Sequence, residues 1–164
     1  MSQAIVVMGV SGCGKSTLAA GIARKLGWAF VEGDDCHPAA NVAKMARGIP
    51  LDDMDRHPFL CAVADRLAAA PTGAVAACSA LKRSYRDMLR ARADTTLLFV
   101  LPQLSRDILL ARVGRRSNHF MPTSLVDSQL ATLEPPDQDE AAVVLDGTDP
   151  IERQIAAVVA AVNS

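Results

Sequence analysis

The chain has 164 residues, half of them hydrophobic and 21% charged, with a formal net charge of −1. That mixture excludes a disordered or low-complexity chain, and the near-neutral balance gives no support to a broad nucleic-acid-binding face. The length suits one domain, 1–164.

Ala4-Ile5-Val6-Val7-Met8 is a short apolar run of the kind that forms a buried parallel strand. It lacks a basic flank and runs directly into Gly9-Val10-Ser11-Gly12-Cys13-Gly14-Lys15-Ser16. It therefore reads as a strand, not a secretion signal. The eight residues fit G-x-x-x-x-G-K-[ST] without a mismatch. After them Leu18, Ile22 and Leu26 recur on one helical face, closed by Gly27. Strand, glycine loop and helix start come in the order a phosphate cradle requires. Glycines let the backbone curl so that several N–H groups face an anion, and the helix N-terminus adds about half a positive charge. Gly9, Ser11, Gly12, Cys13, Gly14, Lys15, Ser16 and Thr17 are the predicted nucleotide-binding residues. Lys15 can reach the β- and γ-phosphates of a nucleoside triphosphate, and the Ser16 hydroxyl can ligate Mg²⁺.

A second strand, Ala29-Phe30-Val31, ends at Glu32-Gly33-Asp34-Asp35, acidic residues where open α/β sheets bind ligands. His37-Pro38 stops it. Asn41 is expected to cap a short helix through Met45 or Arg47, and Pro58 to open the next one, whose apolar face is Leu60, Val63, Ala64 and Leu67. Ala74 to Cys78 is a third strand ending in Ser79, and Ser84 to Arg92 a basic helix. Leu97 to Leu101 is a fourth strand; Ser105 caps a helix through about Arg112, and Ser124 to Leu133 is another helix. Val143-Val144-Leu145 is a fifth strand, and Asp149-Pro150 opens the last helix.

Five strands alternating with helices predict an α/β fold, a three-layer αβα sandwich around a parallel sheet. Right-handed crossovers bring Glu32, Asp34, Asp35, Ser79 and Lys82 toward Lys15. No stretch approaches a membrane span, and Cys13, Cys36, Cys61 and Cys78 form no C-x-x-C pair. A cytoplasmic protein with reduced thiols is expected, with no membrane or nucleic-acid partner.

The loop fits several classes. A GTPase needs a guanine-reading N-K-x-D, which is missing, and no carboxylate closes the third or fourth strand as a motor ATPase would require. A small-molecule kinase remains, with acceptor and metal sites adjacent after the second strand. Such a kinase needs a water-excluding lid with arginines for the migrating charge. The segment at about 112–133 supplies Arg112, Arg115 and Arg116, of which Arg112 and Arg116 share a helix face. Asp34 is the candidate general base or Mg²⁺ ligand; the sequence leaves both open.

Beyond the loop, the chain carries GDDCHP at 33–38, NVAKM at 41–45, PLDDMDR at 50–56, CSALKRSYRDMLR at 78–90, HFM at 119–121 and SQLATLEPPDQDE at 128–140. In these stretches it resembles the gluconate kinase (gluconokinase) family of P-loop small-molecule kinases. Met54, Phe59 and Leu130 depart conservatively from the family pattern. The resemblance implies a sheet of order 2-3-1-4-5, a helical lid, Mg-ATP-dependent phosphorylation of D-gluconate to 6-phospho-D-gluconate, and a homodimer. It implies catalytic roles for Lys15, Asp34, Arg112 and Arg116. It also directs attention to His37, Arg56, Lys82, Arg86 and His119 as acceptor-binding residues, at least one of the cations clamping the gluconate carboxylate. The rival readings are a same-fold kinase for another acceptor, such as shikimate or a nucleoside monophosphate, and a nucleotide-binding regulator without turnover.

Overall fold

The structure is a computed structural model that describes residues 3–115 and 123–164. Five strands, β1 (Gln3–Val7), β2 (Ala29–Glu32), β3 (Ala74–Ala77), β4 (Thr96–Gln103) and β5 (Ala142–Asp146), form one parallel sheet of order β2-β3-β1-β4-β5. The expected order is thus the observed one, with β1 and its phosphate loop flanked on both sides.

The layers follow from strand periodicity. Along β1, Ala4 and Val6 enter one apolar cluster, while Ile5 and Val7 enter another on the opposite face. Because both faces are covered, the strand is apolar at every position but the first. Helices α1 (Lys15–Leu26) and α7 (Ile151–Val162) cover one face through Leu18, Ile22, Ile155 and Val158. Helices α3 (Asp53–Ala69), α4 (Arg83–Ala93) and α5 (Arg106–Arg115) cover the other through Leu60, Val63, Leu89 and Leu109. Trp28, the one tryptophan of the sequence, follows α1 at the foot of β2 and packs on the α1/α7 side. No helix of the described residues is long and apolar enough to cross a membrane.

Two local expectations are corrected. Pro58 lies inside α3 and does not open it. The start is set by a capping box: Asp52 Oδ1 accepts the Asp55 N–H at 2.7 Å, and Asp55 Oδ2 accepts the Asp52 N–H at 3.0 Å. Pro58 is tolerated on an exposed turn, where water can solvate the carbonyl it cannot serve. Asn41 does not cap α2 (Ala39–Ala46), whose N-cap is Pro38. It is 3% exposed and donates from Nδ2 to the Asp55 carbonyl at 2.8 Å. Lys44 on the next turn bonds the Asp55 carboxylate at 2.7 Å. Together they fasten α2 to the start of α3.

The chain enters the sheet edge tightly beside the expected acidic cluster. Gly33 opens a 3-10 turn, Gly33–Cys36, and a Cβ at Gly33 would run into the carbonyl oxygen of Ala77 on β3. A side chain there would push Asp34, the next residue, off the strand end.

Candidate active site

The phosphate loop is built as its glycines demand. Gly12 and Gly14 adopt φ of 88° and 89°, in the left-handed region that side chains disfavour. At Gly12 space is an equal constraint, since a Cβ would sit 3.0 Å from Val113 Cγ2 and 3.1 Å from the Leu109 carbonyl oxygen. The α5 helix therefore packs directly on the loop. The Gly9 N–H bonds the Ser79 carbonyl at 3.0 Å, tying the loop entrance to the end of β3. Cys13 is buried, with Sγ turned toward the Met8 carbonyl at 3.9 Å, so its side chain faces the core. Lys15 Nζ donates to the Val10 carbonyl at 3.0 Å, and Arg112 Nη1 lies 3.5 Å from the Gly12 carbonyl oxygen.

A cleft runs from this loop to the end of β2. Lys15 and Ser16 form its phosphate end; Asp34, His37 and Arg56 line the other. Of the residues expected to converge, Glu32, Asp34 and Ser79 line it with Lys15. Asp35 and Lys82 do not. Asp35 points into solvent beside Asp34, and Lys82 Nζ lies 3.5 Å from Asp53 Oδ1. Thr17 is exposed on the first turn of α1.

His37 is held on two sides. Its ring stacks on Phe59 with centroids 3.8 Å apart and planes 12° from parallel. Its Nδ1 lies 3.2 Å from Asn41 Nδ2, which can only donate, so Nδ1 is the acceptor and a neutral ring carries its proton on Nε2. Burial lowers the His37 pKa below the ordinary imidazole value; Asp34 opposes this and Arg56 adds to it. The ring is accordingly neutral at pH 7 and offers an Nε2–H donor. We expect kcat/KM for the acceptor to fall on acidification, with a midpoint below the usual 6.5 of histidine. Protonated Nδ1 can no longer accept from Asn41. Stability has the same sign. A depressed folded pKa contributes stability fully present above the unfolded value and lost as pH falls through the folded one. A pH–rate profile of His37→Gln, which keeps a donor but cannot titrate, should lack that limb; an unchanged limb would assign it elsewhere.

The three cations expected near the acceptor part company. Arg56 lines the cleft, its Nη1 donating to the Tyr85 hydroxyl at 2.9 Å. Tyr85 is buried and donates in turn to Asp53 at 2.5 Å, so it braces Arg56 in addition to packing. Arg86 is a correction. It is fully buried, paired with Glu140 through Nε at 2.7 Å and Nη2 at 3.0 Å, and bonded to the Ala80 carbonyl at 3.0 Å. Its guanidinium is inaccessible to solvent and does not line the cleft. Its work is to hold the loop after β3, where Ala80 sits at the unfavourable φ of 42°. Arg116 and His119 lie outside the described residues. Among described residues no three His, Cys, Asp or Glu side chains cluster to hold a metal unaided. A cation here would depend on phosphate oxygens, with Ser16 and Asp34 lining the same cleft as available oxygen donors.

One contact was not foreseen. Gln129, on helix α6 (Thr123–Thr132), accepts the Ser11 N–H on Oε1 at 2.7 Å, across 118 residues. Gln129 lay within a stretch that carries the family resemblance, but no residue pattern assigns it a role.

Comparison with known proteins places this geometry. A family profile described as an AAA domain matches residues 5–136. A gluconokinase of Gluconobacter oxydans is 53% identical over 146 residues, 87% of this chain and 82% of that protein. The thermoresistant gluconokinase of Escherichia coli K12 is 41% identical over 158 residues, 94% of this chain and 90% of its own. A crystal structure of a gluconokinase from Sinorhizobium meliloti 1021 superposes with a TM-score of 0.88 at 45% identity, covering 98% of this chain and 91% of that one.

Proposed function

The chain belongs to the gluconokinase family, and on that premise we propose that it transfers the γ-phosphoryl group of ATP to the primary hydroxyl of D-gluconate, giving 6-phospho-D-gluconate and ADP. The observation that carries this reading is the single cleft that joins Lys15 and Ser16 to Asp34, His37 and Arg56. A nucleotide-binding regulator has no need of an acceptor-side carboxylate, and neither rival reading is favoured by the relatives.

Each residue is assigned a task its surroundings support. Lys15 exchanges the Val10 carbonyl for the β- and γ-phosphates. Arg112, beside the loop, turns from the Gly12 carbonyl to the migrating charge, joined by Arg116. Asp34 takes the hydroxyl proton as the in-line displacement proceeds. The neutral His37 donates from Nε2 to the acceptor, and Arg56, among the candidate cations, clamps the carboxylate. Ser16, with Asp34 as a second oxygen donor in the alternative to its role as base, would hold a Mg²⁺ ion bound with ATP, and the ion would supply neutralisation of charge on the triphosphate. The same reading takes 1–164 as one kinase domain and expects a cytoplasmic homodimer.

The test is ADP release with Mg-ATP across D-gluconate, shikimate, glycerate, a nucleoside monophosphate and no acceptor. Release with D-gluconate alone, with 6-phospho-D-gluconate as product, is the expected result. Release with a different acceptor would discard the specificity, and no release with any would discard the kinase.

A further inference from the structure

Three groups that a triphosphate would recruit are engaged within the protein itself. Lys15 Nζ is on the Val10 carbonyl, Arg112 Nη1 is near the Gly12 carbonyl, and the Ser11 N–H is on Gln129 Oε1. All three acceptors are neutral amide oxygens. A phosphoryl oxygen is charged, and charge-assisted hydrogen bonds are shorter and about twice as strong as neutral ones. The exchange therefore runs toward phosphate wherever one can reach the donor.

Two of these exchanges stay inside the loop, because Val10 and Gly12 belong to it. The third does not. Gln129 comes from α6, and its 2.7 Å bond is a direct polar tie between that helix and the loop. Position then says which phosphate is concerned. Ser11 and Gln129 both line the cleft that contains Asp34 and His37. The β-phosphate nests against the start of α1, at Lys15 and Ser16. The group that meets an acceptor beside Asp34 is the terminal one.

We propose that Gln129 is a specificity-determining residue for the γ-phosphoryl group. Its amide oxygen occupies the Ser11 N–H in the free protein and surrenders it to the terminal phosphoryl, so that α6 distinguishes triphosphate from diphosphate. The displaced carboxamide then turns its NH₂, a donor, toward the same phosphoryl oxygen. After transfer the N–H returns to Gln129, which favours release of ADP. This inference rests on the kinase reading above but not on the identity of the acceptor.

The test compares binding of the β,γ-imido analogue of ATP with binding of ADP, each with Mg²⁺, by calorimetry. In Gln129→Glu a carboxylate holds the Ser11 N–H more strongly and repels the γ-phosphoryl. Its affinity for the analogue should fall about tenfold or more, with ADP affinity nearly unchanged. Parallel loss of both nucleotides, or no loss of either, would overturn the proposal, the former because it indicates damage to α6 packing alone. Amide NMR of the wild-type protein gives a second reading that does not depend on the variant folding. The Ser11 N–H and the Gln129 NH₂ resonances should move with the analogue and stay near their free positions with ADP; equal movement with both contradicts the proposal. Wild-type protein that binds neither nucleotide would sink the kinase reading as well. Binding of both, with D-gluconate left unphosphorylated, would remove only the acceptor.

Discussion

Replacing Asp34 with asparagine should lower kcat by about 10²–10⁴-fold while ATP continues to bind. Asparagine keeps the size and one acceptor oxygen but cannot take a proton. The nucleotide is held mainly at the loop, by backbone donors, Lys15 and Ser16, none of which the substitution touches. The two roles open to Asp34 then separate on a Mg²⁺ titration. Loss of a metal ligand weakens the apparent affinity for Mg²⁺, and excess ion restores part of the rate. Loss of the base lowers the rate at every Mg²⁺ concentration. Near-normal turnover would remove Asp34 from the chemistry altogether.

The second large effect concerns stability. Arg86→Met should cost about 3–5 kcal/mol, because it strands the carboxylate of Glu140 in a site where both partners are essentially inaccessible to water. For a chain of this length that corresponds to a fall in Tm of roughly 6–20 °C. Glu140 also receives Arg90 Nη2 at 2.6 Å and the Asp137 N–H at 2.8 Å. The Arg86 guanidinium, more than any other partner, holds its pKa at about 2 against the opposing effect of burial. A depressed carboxylate contributes stability present above its unfolded pKa and lost as pH falls through the folded value, so the network is intact at neutral pH and fails only in strong acid. Arg86→Met combined with Glu140→Leu should recover most of the loss, since a buried pair is often replaceable by apolar groups of similar volume. In the surviving folded protein the KM for D-gluconate should be unchanged with Arg86→Met and raised with Arg56→Ala. A stable Arg86 variant with a raised KM would reinstate Arg86 as the carboxylate clamp.

Arg86 also marks where a reading of residues alone stops. The phosphate loop was legible because its chemistry is local: glycines at set spacings, a lysine and a serine, all within eight residues. The central strands were legible because burial on both faces leaves β3 wholly apolar and β1 apolar after its first residue, and the order of the sheet came from the family resemblance. Arg56, Lys82 and Arg86 are chemically alike in the sequence. What separates them is Glu140, which lies 54 residues after Arg86 and reaches it only once the chain is folded. Asn41 was taken for a cap for a similar reason. Its actual partners are the Asp55 carbonyl and the His37 ring, and the first of these is non-local. The start of α3 is a different kind of miss. The Asp52-x-x-Asp55 spacing carries the capping signal, whereas a proline fits the first turn of a helix without being confined to it. Gln129 could not have been found in this way, since its partner is a backbone N–H whose orientation depends on the curl of a distant loop.

Trp28 stands at the foot of β2, against the α1/α7 side, whereas the cleft opens at the other end of the same strand, beyond Glu32. The protein therefore carries its single tryptophan at the end of the sheet away from its chemistry. Its emission, excited where Tyr85 does not absorb, reports whether α1, α7 and the sheet remain packed together. Unfolding of any variant discussed above can thus be followed optically from the side of the sheet opposite α3 and α4.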